Sequence, residues 1–523
     1  MHSRRNSFRS AIPARSFSDL PEFGKTRSLA ARVATGLLLA VAFAHGDAAP
    51  EAMLRDLNVV AVDSKGAPVN DLTLADFEVT DAGKHRPISY FRHNTGRLSP
   101  PPPLQPGEFA NRRGAGAHHP TLLLFDLLNQ RFSTRGVTAN QIVRELGGLE
   151  DANDLYFYLL TLDGRLYAAH GLPESEQTGV RTDATPWTGD IKQIMDRALR
   201  SVAQVRSVDI DVNVRVQLTL NALDALAARL SMFPGRKNIV WVTDGVPIAL
   251  GPQRSDTGDY IDFTPQLRQL SEWCDRSGVA IYPVRQVMLG SPDAMGAAYG
   301  SGLGSEETLN ELAGLTGGRP TGTKDIAAAV RQAVTDVRSS YQIGYYAPEE
   351  SMDGKFHKLR VVCKRKGVRI QAKNGYYAFA EAPGARAQRA IGAAVADRFD
   401  AAEIGLRGRL SIDPKDRLRA RISTRIDASD IALAQESDDR YSGELRIALA
   451  GFTADGRTAT SSIVPLDVHF TAAGRDKALR EGIPFEEDIA LGDGVNRVRV
   501  VVFDRGSTAI GSLTLPVGDS LGH

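Results

Sequence analysis

The chain has 523 residues, of which 42% are hydrophobic and 24% are charged. This composition is typical of a folded protein and excludes a disordered or coiled-coil chain, and the length predicts about three folded units. The formal net charge is +1, and residues 1–44 hold seven Lys or Arg against two Asp or Glu, so the rest of the chain carries a net charge of −4. That remainder lacks the basic surface of a nucleic-acid-binding protein, and we expect no nucleic-acid partner.

Residues 1–44 have the pattern of a secretory signal peptide. Basic residues are spread over the first 32 positions, and an uncharged apolar stretch follows at 33–44 with the ending Ala42-Phe43-Ala44. This stretch is shorter than the roughly 20 residues needed to span a bilayer, so we predict cleavage near Ala44, with an uncleaved anchor as the alternative. We therefore expect an exported protein that is periplasmic, on the cell surface or extracellular, with no transmembrane helix after cleavage.

Residues 51–96 are predicted to form a small β module. Short strands near 57–62, 77–80 and 88–91 are separated by Gly-containing turns. A segment of this size cannot bury a core of its own, so we expect it to dock on its neighbour or to borrow a strand. Residues 97–118 follow as a Pro/Gly-rich linker, for which the fixed φ of proline predicts an extended spacer with a flexible end.

Between residues 119 and 380 the predicted strands and helices alternate, which indicates a parallel sheet covered by helices. The strands are apolar runs that end at 126, 242 and 284, with a hairpin at 155–172, a later strand at 341–346 and a hairpin at 356–378. Helices are predicted near 136–148, 188–202, 214–232, 264–277, from 306, and near 324–338. Asp126 is the last residue of the first strand, and Asp244 comes two residues after the end of the second; the carboxyl ends of parallel strands are where open α/β sheets bind ligands.

From 400 to 520 the hydrophobic pattern changes to a period of two residues. The alternation is clear in Leu418 to Ile426, in Leu445, Ile447 and Leu449, and in Val498, Val500 and Val502. Half-buried strands with this spacing predict an antiparallel β-sandwich of immunoglobulin-like type.

Seven short stretches resemble, in the same order, a bacterial family of von Willebrand factor type A-related proteins first noticed in Acidobacteria. They are 62–69 (VDSKGAPV), 72–79 (LTLADFEV), 125–129 (FDLLN), 234–239 (PGRKNI), 280–284 (AIYPV), 312–318 (LAGLTGG) and 375–378 (GYYA). The resemblance implies an α/β fold in the form of a three-layer von Willebrand A (Rossmann-like) domain. It also implies export and a role in binding a protein or cell-surface partner, and it implies no established reaction.

The resemblance further implies a divalent-metal site with the pattern Asp-x-Ser-x-Ser in a first loop, a Thr in a second and an Asp in a third. Here the first loop reads Asp126-Leu127-Leu128-Asn129-Gln130, with Leu128 and Gln130 at the positions of the two serines. Amide and carboxylate oxygens still suit Mg²⁺ or Ca²⁺. The candidate metal ligands are Asp126, Asn129, Asp209, Asp211 and Asp244, and the candidate binding residues are Gln130 and Thr243. The alternative is a metal-free site in which Asp126 caps a helix or accepts hydrogen bonds from loop amides.

The sequence lacks the motifs of the common hydrolases. No His-Glu-x-x-His occurs, and Gly300-Ser301-Gly302 is preceded by Tyr299, where a nucleophile elbow requires glycine. We therefore expect a binding protein and not an enzyme. A structural envelope scaffold without metal and a divalent-metal-dependent hydrolase remain the alternatives.

The chain has two cysteines, Cys274 and Cys363. They form either a disulfide or two separate thiols.

Overall fold

The structure is a computed structural model, and it describes a set of segments that belong to one compact unit, Pro50–His523. These segments are 53–94, 103–112, 120–131, 134–146, 155–172, 191–201, 210–231, 233, 235–246, 253–254, 260–285, 302–319, 325–338, 340–348, 352–378, 384–397, 400–437 and 439–518. The predicted signal peptide, residues 1–44, and the candidate ligand Asp209 lie outside the described residues.

The described segments contain both strands and helices, which we number in chain order. The strands are β1 (Met53–Val62), β2 (Phe77–Asp81), β3 (Lys84–Arg86), β4 (Ile88–Asn94), β5 (Phe109–Ala110), β6 (Thr121–Asp126), β7 (Leu155–Leu160), β8 (Leu166–His170), β9 (Lys237–Thr243), β10 (Gln253–Arg254), β11 (Tyr260–Ile261), β12 (Val279–Arg285), β13 (Ser340–Ala347), β14 (Phe356–Cys363), β15 (Arg369–Gln371), β16 (Gly375–Tyr377), β17 (Leu406–Ile412), β18 (Arg419–Ile426), β19 (Ala434–Ser437), β20 (Arg440–Thr453), β21 (Thr458–Thr471), β22 (Ile483–Ala490), β23 (Val495–Asp504) and β24 (Ile510–Pro516). The helices are α1 (Arg135–Leu146), α2 (Ile191–Ser201), α3 (Val212–Leu230), α4 (Thr264–Arg276), α5 (Gly302–Thr316), α6 (Ile326–Arg338), α7 (Ala385–Ala396) and α8 (Ala472–Glu481).

A five-stranded sheet with the order β12-β9-β6-β7-β8 forms the α/β part of the fold. The first four of these strands are parallel, and β8 runs antiparallel to β7 at one edge. The predicted alternation of strands and helices up to residue 338 is therefore confirmed.

Helices cover both faces of this sheet. Leu122 and Leu124 of β6 pack with α3, α4 and α5 on one face, whereas Leu123 and Phe125 pack with α1, α2 and α6 on the other. Because successive residues of a strand point to opposite faces, a strand that is covered on both sides is apolar at every position. This double burial explains the continuous apolar runs seen in the sequence.

The segment Thr316-Gly317-Gly318 closes α5 against the sheet. Gly317 has a φ of +74°, and a Cβ on Gly318 would lie 1.8 Å from the carbonyl oxygen of Ile281 in β12. Only glycine permits such a close approach of two backbones, and the left-handed φ at Gly317 also favours glycine. The close backbone contact at Gly318 and the positive φ at Gly317 therefore explain why both positions of this motif are glycine.

The β module near the N-terminus recruits strands from the end of the predicted α/β region. Strand β13 pairs with both β1 and β4, and β14 pairs with β2. The result is two four-stranded sheets, β15-β1-β13-β4 and β16-β14-β2-β3, which share a core that includes Leu57, Val79, Tyr341 and Ile343. Strands β13 to β16 therefore lie outside the five-stranded sheet, which corrects the expectation that the α/β region extends to residue 380. The expected borrowing of a strand by the small module does occur.

The C-terminal part is an antiparallel structure of two sheets around one core. Strands β22, β18, β17 and β5 form one sheet, and β19, β20, β23 and β24 form the other, with β21 paired to β20. The alternating residues predicted to be buried lie in this core, except Leu418, which precedes β18 and is 54% exposed. Helix α7, which the sequence reasoning missed, packs on the outer face of the second sheet through Ile391 and Ala394.

Part of the predicted linker is bound to the C-terminal sheets. Within it, β5 pairs with β17, and the guanidinium of Arg112 forms an ion pair of 2.7 Å with Asp430. The Asp430 carboxylate also lies 3.3 Å from the guanidinium of Arg92 in β4. Residues 103–112 are therefore docked, which corrects the expectation of a freely extended spacer over that stretch. The rest of the linker lies outside the described residues.

Cys274 and Cys363 are both free thiols, so they do not form the disulfide that was one of the two alternatives. Burial of Cys274 in α4 raises the pKa of its thiol.

Among the helices within the described segments, none has the length and apolar character needed to cross a membrane.

Candidate functional site

The two candidate carboxylates lie side by side at one edge of the five-stranded sheet. Strands β6 and β9 are adjacent and parallel, with Phe125 paired to Val242, so Asp126 and Asp244 both follow at the carboxyl ends of these strands. The chain continues from β6 to β7 on one side and from β9 to β12 on the other, so the direction of the strand order reverses between β6 and β9. Open α/β sheets bind their ligands at such a switch point. We call this edge, with residues 126–131, 134–137, 211–219, 243–246 and Arg285, the rim.

Asp126 is fully buried and accepts four hydrogen bonds. Its Oδ1 accepts from the backbone nitrogen of Asn129 at 3.0 Å, and its Oδ2 accepts from Nδ2 of Asn129 at 2.8 Å. Oδ2 also accepts from Nε1 of Trp241 at 3.1 Å and from the hydroxyl of Thr243 at 3.0 Å. Burial raises the pKa of Asp126, and these hydrogen bonds oppose that rise. The same amide nitrogen of Asn129 donates to the Thr219 hydroxyl of α3 at 2.7 Å, which ties the loop to that helix.

Asp244 is held by the loop that leads into α1. Its Oδ1 accepts from Nε2 of Gln130 at 2.8 Å, and its Oδ2 accepts from the backbone nitrogen of Arg131 at 2.8 Å and from the hydroxyl of Thr134 at 2.9 Å. Nε2 of Gln130 also lies 3.2 Å from the hydroxyl of Thr138. Burial is the main reason that the pKa of Asp244 rises to about 6.

Asp211, the remaining described candidate ligand, has a structural role at the start of α3. Its Oδ1 accepts hydrogen bonds from the backbone nitrogens of Asn213 at 2.8 Å and Val214 at 3.2 Å, which is the geometry of a helix N-cap. Within the described segments no hydrogen bond or ion pair joins Asp211 to Asp126 or Asp244. The structure therefore brings together Asp126, Asn129, Gln130, Thr243 and Asp244, and it leaves Asp211 as a cap.

Four side chains of the network were not among the sequence candidates. These are Thr134, Thr138, Thr219 and Trp241. Thr134 and Thr138 are four residues apart at the start of a helix and so share one face, which is a signal that the sequence does contain. No local sequence pattern predicts that Thr219 or Trp241 belongs to the network, because their contacts depend on how α3 and β9 pack against the loop after β6.

The arrangement of donors does not fit a Mg²⁺ or Ca²⁺ ion. Such an ion takes carboxylate, carbonyl and water oxygens as ligands, yet all four carboxylate oxygens of Asp126 and Asp244 already accept hydrogen bonds from protein groups. The amide oxygens of Asn129 and Gln130 are buried and have no hydrogen-bond donor among the described residues, but both amides present their nitrogens to the carboxylates, and amide nitrogens are not metal ligands. Across the described part of the chain, no group of three or more His, Cys, Asp or Glu side chains is placed to hold a metal.

The surface of the rim carries apolar and cationic groups. Val137 in the first turn of α1 and Val214 in the first turn of α3 are 52% and 48% exposed. Four arginines surround the carboxylate pair: Arg131, Arg135, Arg215 and Arg285. The rim is thus a site of fixed geometry whose outer surface can contact another molecule.

Comparisons with known proteins do not identify the chain. No model of a known protein family matches it, and no curated protein matches it. Among solved structures it is similar to a mutant of the PilB minor pilin from Streptococcus sanguinis, with a TM-score of 0.25 and 9% sequence identity over 42% of this chain. The match spans 60% of that pilin chain, and a TM-score this low does not assign a fold.

Proposed function

We propose that this protein is an exported binding protein, and that its α/β part is a von Willebrand A-like domain which recognises a protein or cell-surface partner through the rim. The order and direction of the five strands support this proposal, because the first strand lies in the middle, the only antiparallel strand among them lies at an edge, and helices cover both faces. These features agree with what the sequence resemblance implies.

The observation that carries the proposal is the convergence of Asp126 and Asp244 at the switch point of the sheet. Their hydrogen bonds hold Asn129, Arg131 and Thr134, and Thr134 directly precedes the first turn of α1. Exposed valines at positions 137 and 214 then stand on two helix ends held by the same network. A rigid surface with exposed apolar side chains is suited to bind a partner with little loss of conformational entropy.

In this proposal, recognition does not depend on a divalent ion, because the side-chain amides of Asn129 and Gln130 already hold the two carboxylates. The alternative in which Mg²⁺ or Ca²⁺ binds requires both amides to turn so that their oxygens face the carboxylates. A hydrolase would further require a base beside the ion, and Asp126 and Asp244 are both engaged by loop donors. A scaffold without a binding role at the rim is the remaining alternative.

The proposal is tested by capture from the organism's own envelope fraction. Purified full-length protein with Val137→Gln or Val214→Gln is compared with wild type after chemical cross-linking, and the captured proteins are identified by mass spectrometry. Both valines are exposed, so these substitutions leave the core intact. Leu479→Gln is the matched control, because Leu479 is an exposed residue of α8 in the C-terminal part, with 38% exposure.

We expect a defined partner that wild type and Leu479→Gln capture equally and that both rim variants lose, with no effect of EDTA. Equal capture by all four proteins contradicts recognition at the rim and favours the scaffold. Loss of capture in EDTA favours the ion-dependent alternative. Turnover of a phosphate or peptide substrate panel that disappears in Asp244→Ala favours the hydrolase.

A further inference from the structure

The cationic groups of the rim have different environments. Nε of Arg135 donates to the carbonyl oxygen of Gln130 at 3.3 Å, and Nε of Arg285 donates to the carbonyl oxygen of Asp244 at 3.3 Å. Both of these guanidiniums therefore help to hold the loops. Arg131 and Arg215 do not take part in the network in this way.

The guanidiniums of Arg131 and Arg215 have no hydrogen-bond or ion-pair partner among the described residues. Arg131 acts on Asp244, and Arg215 acts on Asp126 and Asp211, only through longer-range electrostatic attraction. Nε of Arg215 is buried, so it is shielded from water without a compensating acceptor. A buried donor of a charged group that lacks an acceptor lowers stability, and proteins retain such groups where a ligand supplies the acceptor.

The buried carboxylates Asp126 and Asp244 do not satisfy these two arginines, because donors from the loop after β6 and from β9 already bond to all four of their oxygens. Asp126 and Asp244 are buried, whereas the side chains of Arg131 and Arg215 are partly exposed. An incoming anion would therefore meet the guanidinium groups and the exposed Asp211 carboxylate, whose Oδ1 caps α3, at the surface, with the other two carboxylates beneath them. Guanidinium groups bind carboxylates through paired, charge-assisted hydrogen bonds.

We propose that Arg131 and Arg215 bind a carboxylate of an acidic protein segment directly, without a bridging metal ion. This inference rests on the proposed function, because it names the chemistry of the partner at the same rim. The exposed valines 137 and 214 predict that an apolar side chain accompanies the acidic residue.

The charge balance of the rim favours a carboxylate over a dense polyanion. The four arginines around the site face three carboxylates, those of Asp126, Asp211 and Asp244. The small positive excess suits one monovalent group at a time. A polyphosphate or a sulfated polymer would bring several negative charges close to Asp211, which is exposed.

The test uses a fluorescein-labelled peptide of alternating glutamate and leucine, with an otherwise identical glutamine-leucine peptide as the control ligand. Fluorescence anisotropy measures binding to the full-length protein at low salt, with EDTA and with added Mg²⁺. The protein variants are Arg131→Gln and Arg215→Gln. Arg457→Gln serves as the matched control, because Arg457 is an exposed arginine of the C-terminal part that pairs with Asp455.

We expect the glutamate peptide to bind equally in EDTA and Mg²⁺, and we expect each rim variant to weaken binding about tenfold while Arg457→Gln has no effect. Absence of binding, an equal affinity for the glutamine peptide, an unchanged affinity in both rim variants, or a requirement for Mg²⁺ overturns the inference. So does stronger competition by short polyphosphate than by unlabelled glutamate peptide. Thermal melting of each variant shows whether a loss of binding reflects loss of the fold.

The two proposals can fail separately. If the envelope partner is lost in Val137→Gln and Val214→Gln but is retained in Arg131→Gln and Arg215→Gln, the rim is a binding site and the direct carboxylate contact is wrong. If the partner is retained in all four variants, recognition at the rim itself is wrong.

Discussion

The side-chain amide nitrogen of Gln130 lies 2.8 Å from Oδ1 of Asp244 and joins the loop after β6 to the end of β9. The resemblance to von Willebrand A-related proteins implies a serine at position 130, where a hydroxyl would serve as a metal ligand. A glutamine is longer, and its amide nitrogen lies within hydrogen-bond distance of the Asp244 carboxylate and of the hydroxyls of Thr134 and Thr138. At the position where the resemblance implies a metal ligand, this chain therefore has a hydrogen-bond bridge.

Removal of this bridge is expected to destabilise the fold. Gln130 is fully buried, so Gln130→Ala leaves Oδ1 of Asp244 without its donor and opens a cavity beside Thr138. We expect the free energy of unfolding, measured by urea denaturation, to fall by about 2–4 kcal/mol. Gln217→Ala is the control, because Gln217 is an exposed residue of α3 whose side chain donates a hydrogen bond to Asn221. We expect this control substitution to change the free energy of unfolding by less than about 0.5 kcal/mol. Equal stability of the two variants would show that the bridge is not formed.

Divalent ions are expected to leave the melting temperature unchanged. All carboxylate oxygens of Asp126 and Asp244 accept hydrogen bonds from protein groups, so an ion that binds these carboxylates would have to displace those donors. Wild-type protein should therefore melt at the same temperature in EDTA, Mg²⁺, Mn²⁺ and Ca²⁺, as measured by scanning calorimetry. A rise with one ion that Asp126→Ala abolishes would restore the metal site suggested by the sequence.

Asp126→Ala is expected to lower stability whether or not ions are present. The substitution removes the acceptor for Trp241, Thr243 and both nitrogens of Asn129, and three of these donors come from side chains that are buried. We expect a loss of about 3 kcal/mol in urea denaturation, since each buried donor without an acceptor carries a desolvation cost.

Ionisation of two buried carboxyl groups is expected to destabilise the folded state as the pH rises from 5 to 7.5. Burial raises the pKa of Asp244 and of Asp504 from the usual value of 3.8 to about 6. An acid with a raised pKa binds its proton more tightly in the folded state, so its contribution is greatest at low pH and is lost as the pH passes about 6. Each group should account for about 1.4 kcal/mol between pH 5 and pH 7.5.

The pH effect is measured as the slope of the unfolding free energy against pH. Asp504→Asn should reduce this slope, because the amide does not titrate, even if the absolute stability also changes. Asp455→Asn is the control: Asp455 is exposed and its pKa is lowered, chiefly by its hydrogen bond from Thr453, so it is ionised throughout this range. A slope that Asp504→Asn leaves unchanged would show that this carboxyl does not titrate near pH 6.

The sequence predicted the parts of the fold that are encoded locally. Apolar runs identified β6, β9 and β12, and the position of Asp126 and Asp244 at the ends of two of them was enough to place both at one edge. The alternation of hydrophobic residues likewise identified β18, β20 and β23. In each case the pattern reflects which faces of the strand are buried, and burial determines residue type position by position.

The pairing of distant segments could not be predicted in the same way. Strand β13 follows a helix of the α/β part, yet it pairs with β1, nearly 300 residues earlier in the chain. Alternating burial shows that a strand has a covered face but not which strand covers it. The docking of β5 onto β17 was missed for a related reason, because two residues provide too little pattern and the prolines nearby indicate only an extended chain.

The junction held by Asp430 gives a final prediction that links this docking to stability. Asp430 is 3% exposed and accepts from the guanidinium of Arg112 at 2.7 Å, from that of Arg92 at 3.3 Å and from the backbone nitrogen of Gly405 at 2.9 Å. Asp430→Ala leaves two arginines without their common partner, and we expect a loss of about 3 kcal/mol in urea denaturation. Residues 103–112 should also separate more readily from the C-terminal sheet.

This separation is measured by limited proteolysis with trypsin, which cleaves after arginine. We expect cleavage after Arg112 to become faster in Asp430→Ala than in wild type, because Arg112 donates to the carbonyl oxygens of Ala402 and Glu403 only while the segment is docked. Asp455→Ala, which breaks an exposed ion pair with Arg457, should leave this cleavage unchanged. Equal rates in Asp430→Ala and wild type would mean that the pairing of β5 with β17, together with the two bonds of Asn111 to Ala401 and Ile404, holds the segment without the ion pair.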